Sequence, residues 1–71
     1  MEEYEVFLKN ALELKDEHNC VNSMRIAPND ILTLEKLKQE GLISNFRKIG
    51  MNNVGFDLTY DGLHYFERRY E

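Results

Sequence analysis

Several residue types that mark common protein classes are scarce or missing in this chain. Cys20 is its one cysteine, so no disulfide can form within it, and a single thiol is typical of a reducing compartment. Tryptophan is absent, and proline occurs once in 71 residues, which excludes collagen-like and proline-rich classes. No long apolar run is present, and the N-terminus is acidic, unlike a secretion signal. These absences predict a globular, cytoplasmic protein without a membrane partner.

An excess of basic residues is missing as well. The net charge is −4, and the surplus acid is concentrated in residues 1–23, because the acids and bases of residues 24–71 are equal in number. Proteins that bind nucleic acid usually carry a basic face. The charge balance therefore argues against strong, non-specific binding to DNA.

The chain also lacks the side-chain sets of common catalytic and metal sites. His18, Cys20 and His64 are all of its histidines and cysteines, whereas structural zinc takes four ligands. A cysteine and histidine acting as nucleophile and base need an orienting third group, and no such group stands out. The glycine spacing matches no phosphate-binding loop. We therefore predict one domain over residues 1–71 that is not an enzyme and has no cofactor or metal.

What the sequence does contain is hydrophobic spacing typical of three helices. Apolar residues recur every three or four positions over residues 2–18, the pattern of an amphipathic helix. A second helix is expected to begin at Asn29 or Asp30, either of which can cap it, and to end at Gly41. A third should begin at Thr59, as its cap, and continue to Tyr70.

Between the second and third helices the pattern changes to that of a β-hairpin. Residues 43–49 and 54–58 are predicted strands, and residues 50–53 form a turn whose Gly and Asn residues tolerate positive φ. Residues 19–29 are rich in turn-formers. Within them, residues 24–27 are expected to form a short strand that pairs with the hairpin.

Two motifs carry a resemblance to a known family. L-x-x-L-x-x-x-G-L-I ends at Ile43, and L-T-x-x-G-x-x-Y-F begins at Leu58. The region from Ile31 to Tyr70 resembles winged-helix domains, and it looks closest to the short, YjcQ-like winged-helix proteins of Gram-positive bacteria and their phages. The resemblance implies an α+β winged helix with three main helices and an antiparallel hairpin wing, in the order α-(short β)-α-β-β-α.

The resemblance also implies a function. The chain would be a small, non-enzymatic, DNA-binding transcriptional regulator of bacterial or phage origin, with a homodimer as one open arrangement, and its second helix would enter the major groove. The side chains that would contact bases or phosphates are Asn29, Thr33, Lys36, Arg47 and Lys48.

An alternative function remains open beside it. The acidic first helix, and the lack of a helper helix before the second one, are typical of a module that binds a protein. A phage-encoded inhibitor that docks a host nucleic-acid-binding protein is one example. The residues proposed for a partner or dimer surface are Ile31, Leu32, Tyr65 and Tyr70. A continuous positive strip through Lys36, Arg47 and Lys48 would favour DNA, whereas a mixed or apolar face would favour a protein.

Overall fold

The computed structural model of the protein describes residues 1–69, with side chains described for residues 1–67. Within this range each helix is too short or too polar to cross a membrane. The fold is α+β, as predicted, with helices and a three-stranded sheet. Its elements are α1 (Glu3–Leu14), β1 (Cys20–Arg25), α2 (Asp30–Gln39), β2 (Ile43–Lys48), β3 (Asn53–Leu58), α3 (Tyr60–Leu63) and α4 (Tyr65–Arg69).

The three strands form one antiparallel sheet in the order β1-β3-β2. The predicted hairpin of β2 and β3 is confirmed, and β1 pairs with the other side of β3. Central β3 alternates buried side chains with polar or small ones, the period of a strand with one buried face. The positive φ expected at the hairpin tip is wrong, since in the described chain positive φ values occur at Gly41, Asn19 and Asn45.

The first strand is longer than the sequence indicates. A strand over residues 24–27 is expected, whereas β1 extends over Cys20–Arg25. Val21 and Met24 are both buried although three residues apart, because a β-bulge shifts the register between them. The two residues inside the bulge are polar and exposed. Consecutive polar residues break the alternation of a regular strand, and the sequence therefore resembles a turn.

The first helix is shorter than predicted, since α1 ends at Leu14 rather than at residue 18. The Asp16 carboxylate accepts hydrogen bonds from the backbone N–H of His18 at 2.8 Å and of Cys20 at 3.0 Å. Such bonds compete with helical hydrogen bonding. They close a turn that directs the chain into β1.

Both ends of α2 are as predicted, since it begins at Asp30 and stops before Gly41, but the side-chain cap expected at its start is not formed. Gly41 has a φ of +72°. The N–H of Leu42 donates to the Leu37 carbonyl at 2.9 Å, and this pattern is that of a Schellman motif. At the described start of α2, Asn29 makes no side-chain capping bond. Asp30 instead accepts the N–H of Ala27 at 2.8 Å and so stabilises the turn before the helix.

The predicted C-terminal helix is broken into two short helices at His64. Thr59 caps α3 as expected, because its hydroxyl oxygen accepts the N–H of Gly62 at 3.1 Å. The same hydroxyl donates to the Gly41 carbonyl at 2.6 Å. Thr59 therefore joins the start of α3 to the end of α2.

One core lies between the helices and a single face of the sheet. α1 and α2 pack against each other, α1 contacts β1, and α3 contacts β3. Residues 15–29, between α1 and α2, contain β1 and turns but no helix, so the helper helix of a helix-turn-helix is not present there. The largest fully buried side chains are Phe56, Leu8, Leu37, Glu5 and Val21.

Candidate docking groove

An apolar groove lies between α2 and the hairpin of β2 and β3, with a volume of about 200 Å³. We call it the α2–hairpin groove. Two of its residues belong to the core, and the others reach solvent at its mouth, where Ile31 is 54% and Met51 is 91% exposed. Its apolar lining consists of Ile26, Ile31, Leu34, Phe46, Met51 and Val54.

A bulge in β2 determines which side chains face this groove. The pairing with β3 shifts between Ser44 and Arg47, and Asn45 lies inside the shift with a φ of 50°. One extra residue in a strand reverses the faces of all side chains after it. Because of this bulge, Phe46 and Lys48 share the face of Val54 and line the groove, whereas Arg47 lies on the opposite face of the sheet.

The polar rim of the groove contains one cation without an ion-pair partner. Lys38 pairs with Glu35 at 3.8 Å, and its ammonium lies 5.4 Å from the Phe46 ring centroid. Lys48 lines the groove and forms no ion pair with any residue that the structure describes. The groove thus combines an apolar floor with two charged side chains at its edge: Glu35, which is paired with Lys38, and Lys48, which has no ion-pair partner among the described residues.

The outer face of the sheet, opposite the helices, carries a polar network around Arg47. Its guanidinium donates to the Asn45 carbonyl at 2.8 Å and lies 3.7 Å from Asp57. It also donates to the Cys20 thiol at 3.3 Å. The Asn45 side chain donates to Asp57 at 2.7 Å. Arg47 is therefore held by a carboxylate on its own sheet.

The five residues proposed for DNA contact lie on separate surfaces. Thr33 is only 9% exposed and faces the cleft between α1 and α2, so it is not on the outward side of α2. The Lys36 ammonium lies 4.7 Å from the Tyr4 ring centroid, also towards α1. Asn29 is exposed before α2. With Arg47 and Lys48 on opposite faces of the sheet, these side chains form no continuous positive strip.

The residues proposed for a partner or dimer surface fall into two groups. Ile31 and Leu32 are exposed on α2. Tyr65 is instead half-buried against α1, where its ring meets that of Tyr4 edge to face at 6.2 Å. Tyr70 lies outside the described residues. The exposed apolar surface is therefore centred on α2 and the hairpin rather than on the C-terminal helices.

Sequence reasoning missed two contributors to the groove and one buried charge. The sequence pattern did not indicate that Phe46 and Met51 line a groove, because the bulge that orients Phe46 is not visible in the hydrophobic pattern. Glu5 was counted with the other acids of the first helix and not distinguished from them, but it is 2% exposed. A signal for Glu5 did exist, since it lies three residues before the buried Leu8 and so on the same helix face.

Cys20 has no histidine partner in the described structure. Its thiol contacts Asn22 and Arg47, whereas His18 pairs with Glu17 and His64 with Glu67. A hydrogen bond to Asp57, together with burial, raises the pKa of the Cys20 thiol. A raised pKa decreases the thiolate fraction, and the thiolate is the reactive form.

This geometry predicts that the Cys20 thiol reacts slowly with alkylating reagents. We expect iodoacetamide to alkylate folded Cys20 at pH 8 more slowly than the same cysteine in the denatured chain, because Asp57 favours the protonated thiol. Asp57→Asn should accelerate the reaction, and Asp61→Asn, on α3, should leave the rate unchanged. Mass spectrometry of timed samples measures these rates. Equal rates for the parent protein and Asp57→Asn would contradict the role of Asp57.

Comparison with known proteins gives no family assignment: no protein-family model, no curated protein and no solved structure matches this chain. Among the described residues, no group of three or more histidine, cysteine or acidic side chains is placed to hold a metal ion. The candidate site is therefore the α2–hairpin groove, defined by its shape, exposed apolar side chains and charge.

Proposed function

We propose that this chain is a winged-helix protein-interaction module of bacterial or phage origin, and that it docks a protein partner in the α2–hairpin groove. One observation carries this proposal: Ile31, Phe46 and Met51 surround an open apolar groove on the surface of a small chain. Exposed apolar patches that contain a groove are typical of binding surfaces.

The fold assignment within this proposal has its own support. The order of helices and strands and the antiparallel hairpin beside α2 agree with the winged-helix resemblance of residues 31–70. The missing helper helix favours use of this scaffold for a protein, since a helix-turn-helix docks on DNA through both of its helices.

The outward face of α2 also favours a protein partner. Helical spacing places Leu32, Glu35, Lys36 and Gln39 on the side opposite the buried Leu34 and Leu37. A helix in the major groove is expected to present mainly polar or basic side chains there. This face is instead mixed, with an exposed leucine and one charged side chain of each sign.

DNA binding is the second candidate. Arg47 and Lys48 lie on a hairpin strand beside α2, as basic residues of a wing do, and the resemblance implies a transcriptional regulator. Of these two wing residues, Arg47 is already paired with Asp57, and Lys48 alone has no competing carboxylate among the described residues. Phosphate binding by one lysine of the wing would be weak.

The docking proposal predicts that Ile31→Glu weakens partner binding. A charge at this apolar position should decrease affinity at least about tenfold, the effect of losing roughly 1.4 kcal/mol at a central contact. Immobilised protein exposed to a bacterial lysate, followed by mass spectrometry of the retained chains, measures this. Leu14→Glu is the matched control, since Leu14 is 55% exposed and Ile31 is 54% exposed, but Leu14 lies at the end of α1.

The outcomes separate the two candidate functions. Docking in the groove requires a polypeptide that the parent protein and Leu14→Glu retain and Ile31→Glu loses. If all three proteins retained the same polypeptides, docking in the groove would be contradicted. In a gel-retardation assay at about 50 mM salt, where phosphate contacts are strong, we expect no DNA complex. Retardation that is lost in the double variant Arg47→Ala and Lys48→Ala would favour the DNA-binding function instead.

A further inference from the structure

The size of the α2–hairpin groove limits what can occupy it. Small-molecule sites usually measure about 300–1,000 Å³, and this groove measures about 200 Å³. A dry cavity of about 150 Å³ in another protein holds one benzene molecule. The groove is therefore too small for a typical metabolite but matches a single phenylalanine or leucine side chain.

The charged side chains at the edge of the groove indicate the charge of the segment that occupies it. Glu35 lines the groove but is paired with Lys38 at 3.8 Å, whereas Lys48 lacks an ion-pair partner among the described residues. A carboxylate placed beside the bound side chain would pair with the Lys48 ammonium. A basic segment would meet an unpaired positive charge at the same place, which is unfavourable.

We propose that the α2–hairpin groove binds an acidic, amphipathic segment of a partner protein, with one bulky apolar side chain in the groove and a neighbouring carboxylate at Lys48. This inference rests on the proposed docking function and specifies the chemistry of the docked segment. It differs in charge from the host nucleic-acid-binding protein given above as an example of a partner for the acidic first helix. The exposed acids of α1, such as Glu2 and Glu3, border a separate cleft on the α1 side of α2.

Two small probes of the same aromatic shape and opposite charge test this chemistry: 3-phenylpropionate and 3-phenylpropylamine. Each is titrated into the isotopically labelled protein and followed by amide chemical shifts. We expect shifts at Ile31, Phe46 and Val54, with dissociation constants on the order of millimolar for ligands of this size. The carboxylate should bind roughly two- to fivefold more tightly than the amine, the usual effect of one exposed ion pair.

Variants identify the source of the charge preference. Lys48→Gln should remove it, while Arg47→Gln should preserve it, because Arg47 is the adjacent residue on the other face of the sheet. Raising the salt concentration should also reduce the preference. Equal affinity for the two probes, tighter binding of the amine, or shifts located away from the groove would each overturn the proposal.

A second copy of this chain is the competing occupant, and sedimentation at several concentrations tests it. We expect a monomer throughout. A dimer that Ile31→Glu dissociates would show that the groove binds its own chain, and it would overturn the proposal. If neither probe binds but Ile31→Glu still loses a captured partner, the inferred chemistry fails while the docking function stands.

Discussion

Replacing Gly62 with alanine is expected to destabilise the protein by about 3 kcal/mol, at the upper end of the usual cost of overpacking. In a domain of this size that change lowers the melting temperature by more than about 10 °C. A Cβ at position 62 would lie 2.1 Å from the Leu42 carbonyl oxygen, well inside van der Waals contact. The obstacle is backbone, so no side-chain rotation relieves it.

The sign of this effect is not what helix propensity alone predicts. Alanine is favoured over glycine by about 1 kcal/mol inside a helix, and Gly62 lies in α3. The clash outweighs that gain, because moving Leu42 also disturbs the 3.2 Å bond from the Thr59 N–H to the Leu42 carbonyl. The cap that joins α2 to α3 would be lost with it.

Gly50→Ala provides the control, since a Cβ at position 50 meets nothing within 4 Å. This variant should be neutral or slightly stabilising, by up to about 1 kcal/mol. Thermal and urea unfolding, followed by circular dichroism, give both values. If Gly62→Ala proved as stable as the parent protein, the close approach of α3 to the segment after α2 would be incorrect.

The sequence was most informative where a single residue controls local geometry. Gly41 ends α2 and Thr59 caps α3, as expected, because a left-handed φ and a capping hydroxyl depend on residue type at one position. The alternation in β3 predicted its buried face for the same local reason. The close approach of Gly62 to the Leu42 carbonyl was not predictable, because it depends on how α3 packs against the segment after α2.

The features that the sequence concealed depend on long-range pairing. The bulges in β1 and β2 exist because both strands align with β3, and register between strands has no local signature. The bulge in β2 directs Phe46 into the groove and separates Arg47 from Lys48. Arg47 and Lys48 are adjacent in sequence and were expected to lie in one positive strip, whereas their side chains lie on opposite faces of the sheet.

The buried Glu5 carboxylate links the two ends of the described chain. One of its oxygens accepts the Glu2 backbone N–H at 3.0 Å, and the other accepts the Tyr65 hydroxyl at 3.0 Å. The hydroxyls of Tyr65 and Tyr4 lie 2.9 Å apart. A buried charge is tolerated only when it is hydrogen-bonded. The Tyr65 hydroxyl therefore stabilises α1 and α4 together.

Tyr65→Phe is accordingly expected to lower the free energy of unfolding by about 1.5–3 kcal/mol, the usual range for a hydrogen bond to a charged group. Tyr4→Phe is the matched control: it removes one hydroxyl from the same cluster but leaves the Tyr65–Glu5 bond intact. Its cost should be about 0.5–1.5 kcal/mol, the range for neutral partners. Urea unfolding at pH 7 measures both, and equal losses would contradict the special role of Tyr65.

A double-mutant cycle with Glu5→Gln isolates the contact itself. Because the two side chains touch, their effects should be non-additive by about 0.5–3 kcal/mol. Additive losses would show that Tyr65 acts through packing on Tyr4 rather than through the carboxylate.

Alkaline pH provides an independent measure of the same contact. Burial, followed by the hydrogen bonds to Tyr4 and Glu5, raises the pKa of Tyr65 above its ordinary value of 10.0. The folded state then keeps a proton that the unfolded chain releases, so this contribution to stability is complete below pH 10 and decreases as the pH rises above it. Tyr65→Phe has no such proton to lose. Its stability should therefore decrease less steeply above pH 10 than that of the parent protein, and identical slopes would mean that the Tyr65 hydroxyl is not buried against Glu5.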